Sequence, residues 1–168
     1  LDEGARHSIM IAGGIGITPL WSMVQKLERL GRSWELHYSA RTRQHAALLD
    51  RLEQLPADAR RRVHVNFDHE PGARMLDLAA IVSAAAPDAH FYCCGPAGML
   101  RAFEAATACR DAGFVHLEHF GADAAPAPAQ GAFTVHLAKA GRDVAVPAGS
   151  SILDALLAAG VDVGHSCL

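Results

Sequence analysis

His7-Ser8-Ile9-Met10-Ile11-Ala12 runs directly into Gly13-Gly14-Ile15-Gly16-Ile17-Thr18-Pro19, and this junction decides the fold. Residues 7–12 read as a strand, rich in Ile and Met and apolar enough to be buried on both faces. Past the loop, Leu20, Met23, Val24, Leu27 and Leu30 recur at helical spacing, and Gly31 follows as a natural C-terminal cap. Strand, glycine loop and helix in that order open an α/β unit.

The loop itself suggests chemistry. Glycines let the backbone approach a bulky anion and adopt positive φ. Thr18 is placed to cap the next helix, and Pro19 suits its first turn. The helix N-terminus then offers free amides and a positive dipole end to a diphosphate. Gly14 and Gly16 fill the first two glycines of the dinucleotide fingerprint, while Pro19 occupies the third. A tight strand-to-helix turn accounts for the same residues, so the loop alone leaves both readings open.

Downstream, the alternation continues. Residues 34–39 read as a strand and 46–55 as a helix ended by Pro56. Val63, Val65 and Phe67 alternate as a strand should. Residues 76–86 are helical, stopped by Pro87; 89–93 form a strand, 96–112 a helix closed by Gly113, and 115–120 a last strand. The expectation is a five-stranded parallel, Rossmann-like nucleotide-binding sheet with helices on both faces, over residues 1–121. Residues 122–131 alternate Ala and Pro, as a semi-extended linker does. Residues 132–168 begin a second unit: a hairpin with strands at 133–137 and 143–146 around Lys139–Arg142. A helix carrying Ile152, Leu153, Leu156 and Leu157 follows, capped by Ser150 or Ser151 and ended by Gly160. This unit is too short to be stable alone.

Composition excludes several classes of function. The 168 residues are 51% hydrophobic and 20% charged, with a net charge of -3, so neither nucleic acid nor an anionic membrane is an expected partner. The basic run Arg60-Arg61-Arg62 reads as a solvated helix end. No apolar run reaches the length of a membrane span, and the first four residues do not open a signal peptide. The chain starts with Leu1 rather than Met, so it is expected to begin inside a longer protein. Of four cysteines, the adjacent Cys93 and Cys94 are poorly placed to bridge, and the expected compartment is reducing, the cytoplasm. Cys93 and Cys109 read as core. The ten histidines show no His-Glu-x-x-His or similar metal spacing and read mostly as surface residues.

In parallel sheets ligands bind beyond the carboxyl ends of the strands. The second strand ends in Ser39-Ala40-Arg41-Thr42-Arg43. Ser39, Arg41 and Arg43 suit an adenosine ribose or a phosphate, or else a solvated polar loop. The fourth ends in Cys93-Cys94-Gly95-Pro96-Ala97-Gly98. Cys94 places a polarisable thiol at the sheet edge or is a buried structural cysteine; Gly95 permits a sharp turn and Pro96 suits a helix start. Near the end of the sheet, Glu118 reads as an anchor for polar contacts or a surface acid. Phe120 reads as a cover for a flat ring or a core aromatic.

Taken together, Gly13 to Pro19, Tyr38 to Arg43, Val65 to Asp68, Tyr92 to Gly98 and Glu118 to Gly121 resemble the ferredoxin–NADP reductase superfamily. The nearest likeness is to the phthalate dioxygenase reductase and vanillate O-demethylase reductase group. The resemblance extends over the linker and second unit. It implies a three-part NAD(P)H-dependent oxidoreductase: a flavin-binding barrel, usually with FMN, then the nucleotide domain, then a plant-type ferredoxin. Hydride would pass from nicotinamide to flavin, and single electrons from flavin to a [2Fe–2S] cluster and on to a terminal oxygenase component, a Rieske-type aromatic oxygenase or O-demethylase. By the same likeness, residues 13–19, Gly95, Pro96 and Gly98 would border the nucleotide. Ser39, Arg41 and Arg43 would face the adenosine. Glu118 would border the cofactor as well, Cys94 would sit beside the reacting nicotinamide carbon, and Phe120 near the flavin. Cys167, in Gly164-His165-Ser166-Cys167, matches the first cluster ligand. The second unit is then an incomplete β-grasp, and the chain is expected to be a fragment without flavin barrel or full cluster motif, inactive alone. NADH is the expected donor; NADPH is the alternative on the charges of Arg41 and Arg43. A nucleotide-binding module without turnover, or another flavin reductase of the superfamily, are the competing readings.

Overall fold

In the computed structural model, residues 1–120 and 131–163 are described. They fall in two units, Leu1–Gly121 and Ala122–Leu168. The expected linker residues 122–130 and Cys167 lie outside the described residues.

The first unit is a five-stranded sheet. Its strands are β1 (Ser8–Gly13), β2 (Trp34–Ala40), β3 (Val63–Phe67), β4 (His90–Cys94) and β5 (Val115–Glu118). Their order is β3-β2-β1-β4-β5 and every pairing is parallel. All six residues of the central strand β1 are buried, as a strand with helices over both faces requires. On one face α1 (Ile17–Arg29), α2 (Leu49–Glu53) and α3 (Ala57–Arg60) cover a core of Met10, Leu20, Val24, Leu27, Leu36 and Trp34. On the other, α4 (Leu78–Ala84) and α5 (Ala97–Thr107) cover Ile9, Ile11, Phe91 and Phe103. Each such side chain contributes about 1.5–3 kcal/mol on burial.

The helices keep the expected order but are shorter than the periodicity suggests. The expected helix 46–55 starts only at Leu49, because residues 43–45 make a 3₁₀ turn and Leu48 takes a left-handed φ of 59°. The expected helix 76–86 begins at Leu78, where Asp77 accepts from the Ala80 amide at 2.9 Å. Its C-terminal carbonyls, Val82, Ala85 and Ala86, are taken by the Arg110 guanidinium. The expected helix 96–112 ends at Thr107, and Asp111 opens a separate 3₁₀ turn. By contrast α1 ends as expected: Gly31, at φ 62°, allows Arg32 N–H to reach Leu27 O at 2.9 Å and Gly31 N–H to reach Glu28 O at 3.1 Å.

Three residues differ in burial or pairing from what the sequence suggests. Arg62 is not a solvated cation. Its guanidinium lies 4.3 Å from the Trp34 ring centroid and donates to Glu28 at 2.9 Å, while the Trp34 indole N–H donates to the same carboxylate at 2.8 Å. Cys109 is exposed rather than core, since it follows the end of α5. His90 is buried, stacked on His116 at 5.5 Å between ring centroids.

The second unit is an antiparallel hairpin, β6 (Phe133–Leu137) with β7 (Arg142–Val146), and one helix, α6 (Ile152–Ala158). Gly141 turns the hairpin at φ 60°. Ser151 rather than Ser150 caps α6, in a reciprocal capping box with Asp154. Val144, Val146, Ala155 and Leu156 form its small core.

Candidate functional site

The cleft lies at the carboxyl end of the sheet and has a volume of about 380 Å³, a size typical of small-molecule sites. Its floor is the glycine loop. A Cβ on Gly16 would lie 2.1 Å from the carbonyl oxygen of Cys94, and one on Gly13 would lie 2.6 Å from Pro96 Cδ. Only glycine lets β1 and β4 close together here. Gly14 adopts φ 54° at no steric cost.

The loop then enters α1 with Gly16 as N-cap and no side-chain cap. Thr18 does not cap the helix. It lies within the first turn, and its hydroxyl donates back to Ile15 O at 3.0 Å. The first-turn amides of α1 therefore have no side-chain acceptor of their own, which suits a bound anion. Pro19, in the same turn, has no N–H to satisfy.

Three further segments complete the walls. Ser39, at the end of β2, is buried and donates to Asp68 Oδ2 at 2.6 Å, while Asn66 Nδ2 donates to Asp68 Oδ1 at 2.6 Å. Asp68 just follows β3, held by its amide to Ala40 O at 2.9 Å. Arg41 lines the cleft with an exposed side chain. Gly95, Pro96 and Met99 enter from the β4–α5 junction. Two apolar side chains stand in the cleft unburied, Ile15 at 61% and Phe120 at 52% exposure.

Of the residues singled out from the sequence, Gly13, Gly14, Ile15, Gly16, Ser39, Arg41, Gly95, Pro96 and Phe120 converge on this cleft. Ile17 turns into the core instead. Arg43 pairs with Glu53, and its amide donates to Glu70 at 3.3 Å. Gly98 lies in the first turn of α5 with open space around it. Cys94 is fully buried, and burial, with the Glu118 carboxylate second, pushes its thiol above the usual range. The thiol is therefore protonated at neutral pH. Glu118 is exposed and sits in register with Cys94 across β4 and β5. Asp68, His45 and Met99 line the cleft although the sequence assigns them no site role; Asp68 enters there only as the end of the segment Val65 to Asp68. Asp68 alone carried a signal, as the first residue past a strand's carboxyl end.

A parallel sheet with its glycine loop at the central strand's carboxyl edge, running into an uncapped helix, defines an α/β dinucleotide-fold domain. The model of the family described as the oxidoreductase NAD-binding domain matches residues 10–105. The chain belongs to that family.

Among curated relatives, the chain is 60% identical over 167 residues to phenoxybenzoate dioxygenase subunit beta of Ectopseudomonas oleovorans, covering 99% of this chain and 50% of the relative. It is 47% identical to the tetrachlorobenzoquinone reductase of Sphingobium chlorophenolicum, covering 99% and 52%. Among solved structures, phthalate dioxygenase reductase superposes with a TM-score of 0.70 at 36% identity, covering 99% of this chain and 52% of that one. The chain thus spans about half the length of the curated relatives it matches. The expected kinship with the phthalate dioxygenase reductase group is borne out. Among the described residues, no helix is long and apolar enough to cross a membrane.

Proposed function

We propose that this chain is the pyridine-nucleotide-binding part of a reductase component that serves a terminal oxygenase. In this reading residues 1–121 bind the nucleotide, 122–131 link, and 132–168 begin a plant-type ferredoxin. The observation that carries it is the glycine floor under an uncapped α1 N-terminus, with Ile15 and Phe120 standing exposed above. The names of the relatives, a dioxygenase subunit and a quinone reductase, support the electron-transfer role. The phthalate dioxygenase reductase structure is described as a modular one for electron transfer from pyridine nucleotides to [2Fe–2S].

The residues fit a dinucleotide, because the glycine loop lays bare backbone at the cleft floor and leads into an α1 N-terminus with no side-chain cap. Bound NADH would supply the hydride that a flavin accepts. The backbone of Gly13 to Gly16 and the first amides of α1 hold the diphosphate. Ser39 and Asp68 border the adenosine ribose, and Arg41 covers the same end. Asp68 accepts from ribose hydroxyls and repels a 2′-phosphate, and Arg43 is already paired with Glu53, so the donor is NADH. Gly95, Pro96 and Gly98 open the helix at the nicotinamide end. The neutral Cys94 thiol lies there, with Glu118 beside it, and Phe120 shields the ring that docks.

The flavin, FMN by resemblance, belongs to a domain outside these residues. The cluster does not fit this stretch: Cys167 is the one cysteine in residues 132–168, whereas a plant-type cluster takes four thiolates. The reduced cysteines suit the cytoplasm. The coding sequence on either side tests the assembly. A flavin-binding domain upstream and three further cysteines in register downstream are expected; flanks lacking both contradict it.

A further inference from the structure

On the sheet face opposite α1, helices α4 and α5 cover β1 and β4, and the residues of those strands are apolar. The same face of β2 and β3 is different. Glu35 and His37 alternate onto it from β2, and His64 stands beside His37 in register on the edge strand β3. A β-branched or aromatic residue would be the ordinary choice there. Instead one oxygen and two ring nitrogens, from Glu35, His37 and His64, lie within 4.8 Å of one another.

We propose that Glu35, His37 and His64 form a binding site for a divalent transition-metal ion of the Zn²⁺ class. Zinc bonds of about 2.0–2.2 Å to N and O place tetrahedral ligand atoms about 3.3 Å apart. His37 Nε2 and Glu35 Oε1 already stand 3.2 Å apart. His64 is exposed, so its ring is free to swing the remaining distance, and it now stacks on His37 at 4.8 Å between centroids. Two imidazoles and one carboxylate are the borderline donor set that zinc, nickel and copper prefer over calcium or magnesium.

A fourth position is also provided. His7, just before β1, brings Nε2 to 4.0 Å from Glu35 Oε2. A cavity of about 450 Å³ beside the group is lined by His7, Glu35, His37 and by Ala80, Ile81 and Ala84 of α4. Either His7 or a water in that cavity completes four coordination. The ion would tie β2 to the edge strand β3. It lies two residues along β2 from Ser39, on the same face, and is distinct from the nucleotide cleft.

The test is Zn²⁺ titration of the untagged, metal-stripped 168-residue chain. A Cys109→Ser and Cys167→Ser background removes competing thiolates. The expected result is one saturable ion per chain and a rise in thermal midpoint on loading. His64→Ala, at an exposed site whose loss leaves the fold intact, should weaken binding by about 10–100-fold or more and abolish the rise. Glu35→Gln should do the same. The Cu²⁺-loaded chain should show nitrogen coupling from at least two imidazoles in its electron paramagnetic resonance spectrum, and from one fewer in His64→Ala. Binding and coupling unchanged in both variants, or no saturable binding at all, would overturn the proposal.

Discussion

Gly16 and Cys94 are so close that a Cβ on the glycine would stand 2.1 Å from the cysteine's carbonyl oxygen. This contact joins the loop after β1 to the end of β4 and sets the height of the cleft floor. Both partners are backbone, so neither can yield as a side-chain tip would. Gly16→Ala should therefore destabilise the first unit by about 1–3 kcal/mol and lift the floor into the nucleotide's place. Denaturant unfolding with an NADH titration checks both. Unaltered stability and affinity would mean that the loop does not close in this way.

The Ser39 hydroxyl and the Asn66 amide both donate to Asp68, fixing its carboxylate in the cleft wall. Asp68→Asn keeps the shape and removes the charge. NADPH should then gain about 5–10-fold in affinity relative to NADH, the scale of one charge contact near a protein surface. Competitive titration of the two nucleotides measures the ratio.

In the proposed reading Cys94 bears on the reaction rather than on affinity. Its thiol is neutral and buried, so it acts by shape and polarisability, not as a nucleophile. In the complete reductase, Cys94→Ala should slow flavin reduction by about 10–100-fold through misplacement, with a smaller change in NADH affinity. Stopped-flow reduction at an unchanged rate would remove Cys94 from the mechanism.

The buried thiols also set an alkaline limit. Burial first, and the neighbouring Cys94 second, pushes the Cys93 thiol up from an ordinary 9.0 to about 12. The folded state thus holds its proton more tightly than the unfolded chain. That contribution is complete below pH 9.0 and is lost as pH rises toward about 12. Urea midpoints should fall across this window in the wild type, and less steeply in Cys93→Ala.

The parallel sheet was legible because β1 is an unbroken apolar run and α1 carries buried residues at helical spacing up to its glycine cap. Helix ends were less so. Leu48 in the left-handed region and the Arg110 guanidinium on the α4 carbonyls are tertiary outcomes that no local pattern encodes. The site was legible where the chain itself turns, at Gly13 to Gly16 and at Gly95-Pro96. It was not at Asp68 or at Glu35, His37 and His64. Those become a group only when β2 and β3 pair, nearly thirty residues apart in sequence.

NADH is expected to occupy the cleft at the carboxyl edge of the sheet. Amide chemical-shift mapping of the ¹⁵N-labelled chain during NADH titration tests it most directly. Saturable shifts are expected at Gly13, Gly14, Gly16, Ser39, Arg41 and Gly95, with Thr134 and Val144 of the second unit unmoved. Absence of saturable shifts at these amides, or shifts confined to other residues, would contradict it.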